Sequence, residues 1–99
     1  MHIIRQTDTF ASWLFHLKDL RGKAAIILRL RRLQAGNLGD VKSVGDGVTE
    51  LRMDVGPGYR VYFTRRGKEI VLILAGGDKS SQARDIALAK KLAIQAKGV

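Results

Sequence analysis

The sequence contains no cysteine, one proline and one tryptophan. Without cysteine, disulfides, zinc–thiolate sites and a cysteine nucleophile are excluded. No apolar run approaches the roughly 20 residues that a membrane-spanning helix needs. The first residues, MHIIRQTDTF, lack the apolar core of a signal peptide. We therefore expect a soluble, cytoplasmic protein that does not enter a membrane.

Histidine is also scarce, because the chain has only His2 and His16. Both are distant in the sequence from the basic segment described below, so we expect them to be structural or solvated. No cluster of residues has the spacing of a metal site. The sequence thus predicts neither a metal nor another cofactor.

Positive charge is what the chain has in excess: 18 Lys and Arg against 9 Asp and Glu, a formal net charge of +9. Such an excess favours a phosphate-rich or acidic partner and says nothing about the fold. The length of 99 residues and the 45% of hydrophobic residues fit one globular domain. We assign residues 1–99 to that domain.

A short strand and two helices are predicted in the first third of the chain. The strand covers residues 2–6, and Thr7 or Asp8 can cap the first helix. The second helix is expected over residues 23–35, after a break at Gly22. The first helix has one apolar face, formed by Phe10, Trp13, Leu14 and Leu17. The short connection between the two indicates a helical hairpin.

Three further strands are predicted in the segment 48–82. Residues 48–54 and 59–64 alternate between apolar and polar side chains, which is typical of strands with one buried face. Residues 56–58, Gly-Pro-Gly, supply the turn between them. Residues 69–75 are apolar almost throughout and predict a central strand.

A short edge strand is expected near Val41 and Val44, and a last helix begins near Ser80 or Ser81. The predicted order is therefore β-α-α-β-β-β-β-α. This order indicates an α+β domain with a mainly antiparallel sheet, an N-terminal helical hairpin and a C-terminal helix. The helices are expected mostly on one side of the sheet.

The alternation also constrains the strand register. Leu51 must share a buried face with Val61, because a slip of one residue would bury Arg60. Arg52 then lies opposite either Arg60 or Tyr62. The other face is expected to be exposed and to carry Glu50, Arg52, Arg60 and Tyr62.

Two arginines on neighbouring strands need an explanation, because like charges opposite each other destabilise a sheet. One interpretation is a solvated face on which Glu50 and Asp54 neutralise Arg52 and Arg60. The other is an anion site, since guanidinium groups bind phosphate through two donors at once. The residues alone leave both open.

Residues 76–80, Gly-Gly-Asp-Lys-Ser, are expected to form a loop between a buried strand and a helix N-terminus. Free backbone N–H groups and the helix dipole make such a place suitable for an anion, and Lys79 adds a charge. The spacing is not that of a P-loop. Glycines after a strand are more often simple turn formers.

RNA cleavage by attack of a ribose 2′-OH needs a base, an acid and stabilisation of the developing charge. Arg52 and Arg60 can stabilise that charge, and Tyr62 can stack on a base or donate a hydrogen bond. The candidates for proton transfer are Lys79, Asp78 and Asp85.

Three blocks of the sequence resemble the RelE/HigB-type toxins of bacterial toxin–antitoxin modules, and most of all the phage-derived addiction module killer proteins. The blocks are ELR at residues 50–52, GYRVYF at residues 58–63 and GGDKSSQ at residues 76–82, followed by Asp85, Ile86 and Ala89. Length, basic charge and element order also agree, so the resemblance covers nearly the whole chain.

The resemblance implies a RelE-like fold and a ribosome-dependent endoribonuclease that cleaves mRNA and inhibits translation. It also implies a cognate antitoxin, a small helix-turn-helix protein. Arg60 matches the family arginine that contacts the scissile phosphate, Lys79 a second basic catalytic position, and Arg52 a supporting one. Many relatives have a Tyr or His near the C-terminus, and none follows Gln82 here. Either Asp85 and Lys79 substitute for it, or the activity is weak.

Two alternatives stay open. A ParE-like toxin on the same fold would inhibit DNA gyrase without cleaving nucleic acid. A non-catalytic nucleic-acid-binding module would also account for the charge, although Tyr62 is the single obvious stacking residue that the pattern leaves exposed.

Overall fold

The computed structural model describes residues 2–96, so Met1 and residues 97–99 of the expected domain lie outside the described residues. Within that range the α+β class, the mainly antiparallel sheet and the C-terminal helix are as predicted. The elements are β1 Ile3–Gln6, α1 Asp8–His16, α2 Leu20–Gln34, β2 Val41–Gly45, β3 Val48–Met53, β4 Tyr59–Arg66, β5 Ile70–Asp78 and α3 Gln82–Ala96, with a 3-10 turn at Lys79–Ser81.

The sheet of the described chain has five strands in the order β1-β5-β4-β3-β2. β1 pairs with β5 in parallel, and the other neighbours are antiparallel. The register pairs Leu51 with Val61 and Arg52 with Arg60. This confirms the predicted face parity and selects one of the two pairings that the alternation allowed.

Helices cover both faces of the sheet: α1 and α2 share one side, which agrees with the expectation that the helices lie mostly on one side, and α3 lies on the other. Val61 and Tyr62 are consecutive in β4 but belong to different cores. The first core lies under α1 and α2 and includes Phe10, Ile26, Leu33, Leu51 and Val61. The second lies under α3 and includes Val48, Tyr62, Leu74, Ala75 and Ala89. Since successive residues of a strand point to opposite faces, α3 covers the face predicted to be exposed.

The expected glycine loop is instead the end of a strand. Gly76, Gly77 and Asp78 belong to β5 and pair with the beginning of β4. A Cβ on Gly76 would overlap the indole of Trp13 in α1. Glycine is therefore needed here because a helix packs closely on the strand, and not because the chain turns.

Gly22 was also expected to be a break, but it lies in the first turn of α2. Its N–H donates to the Asp19 carboxylate over 3.0 Å, so Asp19 is the N-cap and the helix begins at Leu20. A Cβ on Gly22 would overlap the ring of Tyr59. The predicted cap of α1 is confirmed, since Thr7 Oγ1 accepts from the Phe10 N–H at 3.1 Å.

Candidate phosphate-binding pocket

A small pocket lies where β3 ends, β4 begins and the chain leaves β5. Arg52 pairs with Arg60, and Arg60 pairs with Gly77 on its other side, two residues before Lys79. The pocket has a volume of about 280 Å³. It is lined by Asp40, Arg52, Met53, Asp54, Arg60 and Lys79. Three of the five predicted site residues therefore surround one space.

Arg60 is the most buried cation of this pocket, with 8% of its surface exposed. Its Nη1 donates to the Tyr59 carbonyl oxygen over 3.0 Å. Its Nε lies 3.9 Å from Glu50 Oε1, an ion-pair distance that is too long for a hydrogen bond. The Tyr59 carbonyl and the Glu50 carboxylate thus hold the guanidinium in place, while Arg60 still lines the pocket.

Arg52 is more exposed and its partner is at the surface. Its Nη2 lies 3.3 Å from Asp40 Oδ1, and the two side chains are 40% and 59% exposed. Surface ion pairs of this kind contribute little to stability. A phosphate can therefore replace Asp40 as the partner of Arg52 at small cost.

Lys79 is the exposed cation of the pocket, and the 3-10 turn fixes its position. Its backbone N–H donates to the Gly58 carbonyl over 3.0 Å. Its alkyl chain packs over Gly58, which has a φ of +83°, and a Cβ there would lie 2.9 Å from Lys79 Cε.

Asp78 caps the turn, and hydrogen bonds from the Ser80 hydroxyl and N–H lower the pKa of Asp78. That lowered pKa makes Asp78 a weak base.

The expected exposure of Tyr62 is wrong. The side chain is fully buried under α3, and its hydroxyl donates to Glu50 Oε2 over 3.1 Å. Burial, and secondly the Glu50 charge, raise the pKa of Tyr62 well above its ordinary value. A nucleotide base cannot stack on this ring, because α3 covers it. The other predicted role of Tyr62 was to donate a hydrogen bond, and its hydroxyl donates to Glu50.

Asp85 is also buried, with 7% exposure, in the first turn of α3. Its Oδ2 accepts from the Ser81 hydroxyl at 2.5 Å and lies against the backbone of Gly77. It does not line the pocket that contains the three cations. The structure thus separates Asp85 and Tyr62 from Arg52, Arg60 and Lys79.

Sequence reasoning missed two residues of this region. Asp54 was expected near Arg52 and Arg60, but the second carboxylate of the pocket, Asp40, comes from the loop before β2, where no pattern indicated a function. Gln82 donates to Glu50 over 2.7 Å. The alternation placed Glu50 beside Arg60, but only the position of α3 shows that this carboxylate is buried.

The pocket combines three cationic side chains with two carboxylates. Arginine and lysine in one space can bind a phosphate and stabilise added negative charge, and the ammonium and carboxylates can exchange protons.

Residues 2–96 contain no group of three or more His, Cys, Asp or Glu that could bind a metal ion. In the same range no helix has the length and hydrophobicity needed to cross a membrane.

The fold and the pocket define a small α+β domain with a small site at one end of its sheet, lined by three cationic side chains. Residues 12–94 match the family described as "Phage derived protein Gp49-like (DUF891)", and the chain belongs to this family. It is a family of proteins similar to the toxins of toxin–antitoxin modules. An uncharacterized protein of Haemophilus influenzae is 57% identical over 90 residues, which cover 91% of each chain.

Proposed function

We propose that this protein is the toxin of a type II toxin–antitoxin module, of the RelE/HigB type, and that it cleaves mRNA on the ribosome and so inhibits translation. The supporting observation is the convergence of Arg52, Arg60 and Lys79 on one pocket. Family membership supports the toxin and its antitoxin partner. The proposal also includes the ribosome and mRNA as partners. It assigns residues 1–99 to a single toxin domain.

The proposed reaction is an attack of a ribose 2′-oxygen on the adjacent phosphorus. The new O2′–P bond forms, the P–O5′ bond breaks, the 2′-hydroxyl loses a proton and the 5′-oxygen gains one. Arg60 and Arg52 stabilise the charge that builds up on the phosphate oxygens. Lys79 is the pocket residue suited to protonate the leaving 5′-oxygen, and Asp40 or Asp54 to accept the first proton.

The ribosome has a defined role in this proposal. The pocket is small, and neither of the two histidines, His2 and His16, lines it or is fully buried. Alignment of the 2′-oxygen with the scissile bond is therefore assigned to the ribosome, which positions the message. Correct alignment of reacting groups is worth a large part of a reaction barrier.

The experiment compares the wild type with Arg60→Ala in bacteria after induction. Translation and DNA synthesis are followed by labelled-precursor incorporation, and new mRNA 5′ ends are mapped. We expect translation to stop first, with cuts in translated messages, and Arg60→Ala to reduce cutting about 10²–10³-fold. Arg65→Ala is the matched control, because Arg65 is exposed on the same strand and does not line this pocket.

The outcomes separate the three functions. If DNA synthesis stops first and messages stay whole, the protein inhibits gyrase and the proposal is wrong. If translation stops without cuts, it binds without catalysis. A folded Arg60→Ala protein that cuts messages as fast as the wild type also contradicts the assignment of this pocket.

A further inference from the structure

We propose that Glu50 is the positioning residue of this pocket. It holds the inner edge of the Arg60 guanidinium, so that the outer edge is presented to the scissile phosphate. The inference rests on the proposed function for what Arg60 does to the phosphate. The Glu50–Arg60 contact itself can be tested whether or not the protein is a nuclease.

The first observation is the burial of Glu50. The chain has two glutamates, Glu50 and Glu69. Glu50 is 1% exposed in the middle of β3, whereas Glu69 is exposed in the turn before β5. A carboxylate is buried at high cost unless it is paired and hydrogen-bonded. The location of Glu50 therefore requires a cation, and Arg60 is its ion-pair partner.

The second observation is the orientation of the Glu50 carboxylate. Oε2 accepts two hydrogen bonds, from Tyr62 Oη at 3.1 Å and from Gln82 Nε2 at 2.7 Å. These donors come from β4 and from the first residue of α3. Because both contacts use the same oxygen, Oε1 is left facing Arg60.

The third observation is that different nitrogen atoms of the Arg60 guanidinium face different partners. Nη1 donates to the Tyr59 carbonyl at 3.0 Å. Nε is buried, lies 3.9 Å from Glu50 Oε1, and has no hydrogen-bond acceptor. The Nε side of the guanidinium is thus directed at Glu50, while the residue still lines the pocket that contains Arg52 and Lys79.

The gap of 3.9 Å between Glu50 Oε1 and Arg60 Nε also has a consequence. It exceeds an ordinary N–H···O hydrogen bond by about 1 Å. Nε can therefore approach Oε1 by about that amount before the pair reaches hydrogen-bonding distance, so Arg60 can settle towards its counter-ion without a clash. Tyr62 and Gln82 act through Glu50 in this arrangement, which gives both residues a role without contact to substrate.

The first test measures single-turnover cleavage by purified protein on ribosomes programmed with mRNA. Glu50→Gln keeps the size of the side chain and removes its charge. We expect its rate at saturating ribosomes to fall about 10²-fold, as for a misplaced catalytic group, with little change in half-saturation. Glu69→Gln is the matched control and should cleave at the wild-type rate. A folded Glu50→Gln protein with the wild-type rate would overturn the proposal.

The second test does not depend on activity. The Arg60 Nε–H signal in ¹⁵N-labelled protein is assigned by its loss in Arg60→Lys. We expect it to shift and to exchange faster with water in Glu50→Gln, and to be unchanged in Glu69→Gln. If the signal does not respond to Glu50→Gln, Glu50 does not hold the guanidinium. If the wild type cuts no message but the signal responds, the proposed function fails and the contact stands.

Glu50→Gln can fail to fold, because it leaves Arg60 buried without a counter-ion. Tyr62→Phe and Gln82→Met then serve instead, since each removes one donor to Glu50 and keeps the charge pair. Both should slow cleavage and shift the Arg60 Nε–H signal, by less than Glu50→Gln would. Wild-type rates together with unshifted signals in both variants would contradict the inference.

Discussion

Asp85 of α3 lies directly on the backbone of Gly77 in β5, so that a Cβ on Gly77 would overlap the Asp85 carboxylate. Gly77 is also the strand partner of Arg60. The absence of a side chain at this position therefore lets the first turn of α3 approach the sheet beside the pocket. The carboxylate is fixed there by the Ser81 hydroxyl at 2.5 Å.

The first prediction concerns Gly77→Ala. The added methyl group displaces Asp85 and the start of α3, and we expect the free energy of unfolding to fall by about 1–3 kcal/mol, as for overpacked cores. Urea unfolding of the two proteins measures the difference.

The same clash can be isolated by a second substitution. Asp85→Ala removes the overlapping group, so Gly77→Ala should cost less in that background, with a coupling of about 1 kcal/mol or more. Asp85→Asn is the control, because it keeps the size and hence the overlap. If Gly77→Ala lowers the free energy of unfolding by the same amount with and without Asp85→Ala, the contact with Asp85 is not the cause of the destabilisation.

Gly76 and Gly77 also show where the sequence was insufficient. Consecutive glycines followed by Asp, Lys and Ser are typical of a turn, and the segment was predicted to be a loop. The structure has a strand, because Trp13 and Asp85 each need a position without a Cβ. Long-range packing of this kind leaves no local signal, and the same holds for Gly22 beneath Tyr59.

The register of the sheet, in contrast, followed from local pattern. The alternation of Leu51 and Val61 with charged neighbours permits only pairings of one parity, and the observed pairing is one of them. Alternation shows that the two faces differ, but not that the polar one is exposed. Tyr62 and Glu50 were therefore assigned to the right face and to the wrong environment.

The candidate site was predicted only in part, because local pattern indicates strand pairing but not the contacts made by loops and by the docked helix. Arg52, Arg60 and Lys79 converge because strand pairing, which the sequence indicates, brings them to one end of the sheet. Asp40 reaches the pocket from a loop, and Gln82 reaches Glu50 through the docking of α3. Neither contact has a sequence spacing from which it could be read.

The second prediction is that neither tyrosine ionises near its ordinary pKa of 10.0. Burial, and then the hydrogen bond to Asp19, raise the pKa of Tyr59 to about 12. Tyr62 is shifted further in the same direction. The phenolate absorbance of the native protein should stay flat through pH 10 and rise only near 12. Tyr62→Phe leaves Tyr59 as the one tyrosine that titrates.

The same shifts give a direction for stability at high pH. The folded protein keeps phenolic protons that the unfolded chain releases near pH 10, so the free energy of unfolding falls as pH rises from about 10 through 12. Urea midpoints across that range measure it. A native phenolate signal at pH 10 in a folded sample would contradict the buried positions of both hydroxyls.

The third prediction concerns Asp19, which accepts from the Gly22 N–H and from Tyr59 Oη at 3.0 and 2.7 Å. These contacts, the backbone one first, lower the pKa of Asp19 below 3.8. Its contribution to stability is present above 3.8 and is lost as pH falls through the lowered value. The stability advantage of wild type over Asp19→Asn should therefore shrink in acid.

Tyr59→Phe provides the comparison for Asp19. It removes one of the two donors, so its acid dependence should lie between those of the wild type and Asp19→Asn. Urea midpoints at neutral and acidic pH test this order. An advantage of the wild type that is the same at both pH values would mean that Asp19 contributes as a neutral cap.

The last prediction concerns Arg29 of α2, which supports the pocket from outside. Its Nη1 donates to the Arg52 carbonyl at 2.6 Å, and its Nη2 donates to the carbonyls of Leu38 and Asp40 at 3.1 and 3.0 Å. One planar group thereby joins the end of β3 to the loop that carries Asp40. A lysine ammonium cannot reproduce this fork, because its donors radiate from a single atom.

We expect Arg29→Lys to lower the free energy of unfolding by about 1–3 kcal/mol, since at least one buried or half-buried carbonyl loses its donor. Arg31→Lys is the matched control, because Arg31 is exposed on the same helix and should tolerate the change. If the pocket depends on this support, Arg29→Lys also speeds hydrogen exchange at the Arg52 N–H, which donates to the Asp40 carbonyl over 2.9 Å. Equal exchange in both variants would limit Arg29 to a contribution to stability, and equal unfolding midpoints would contradict even that.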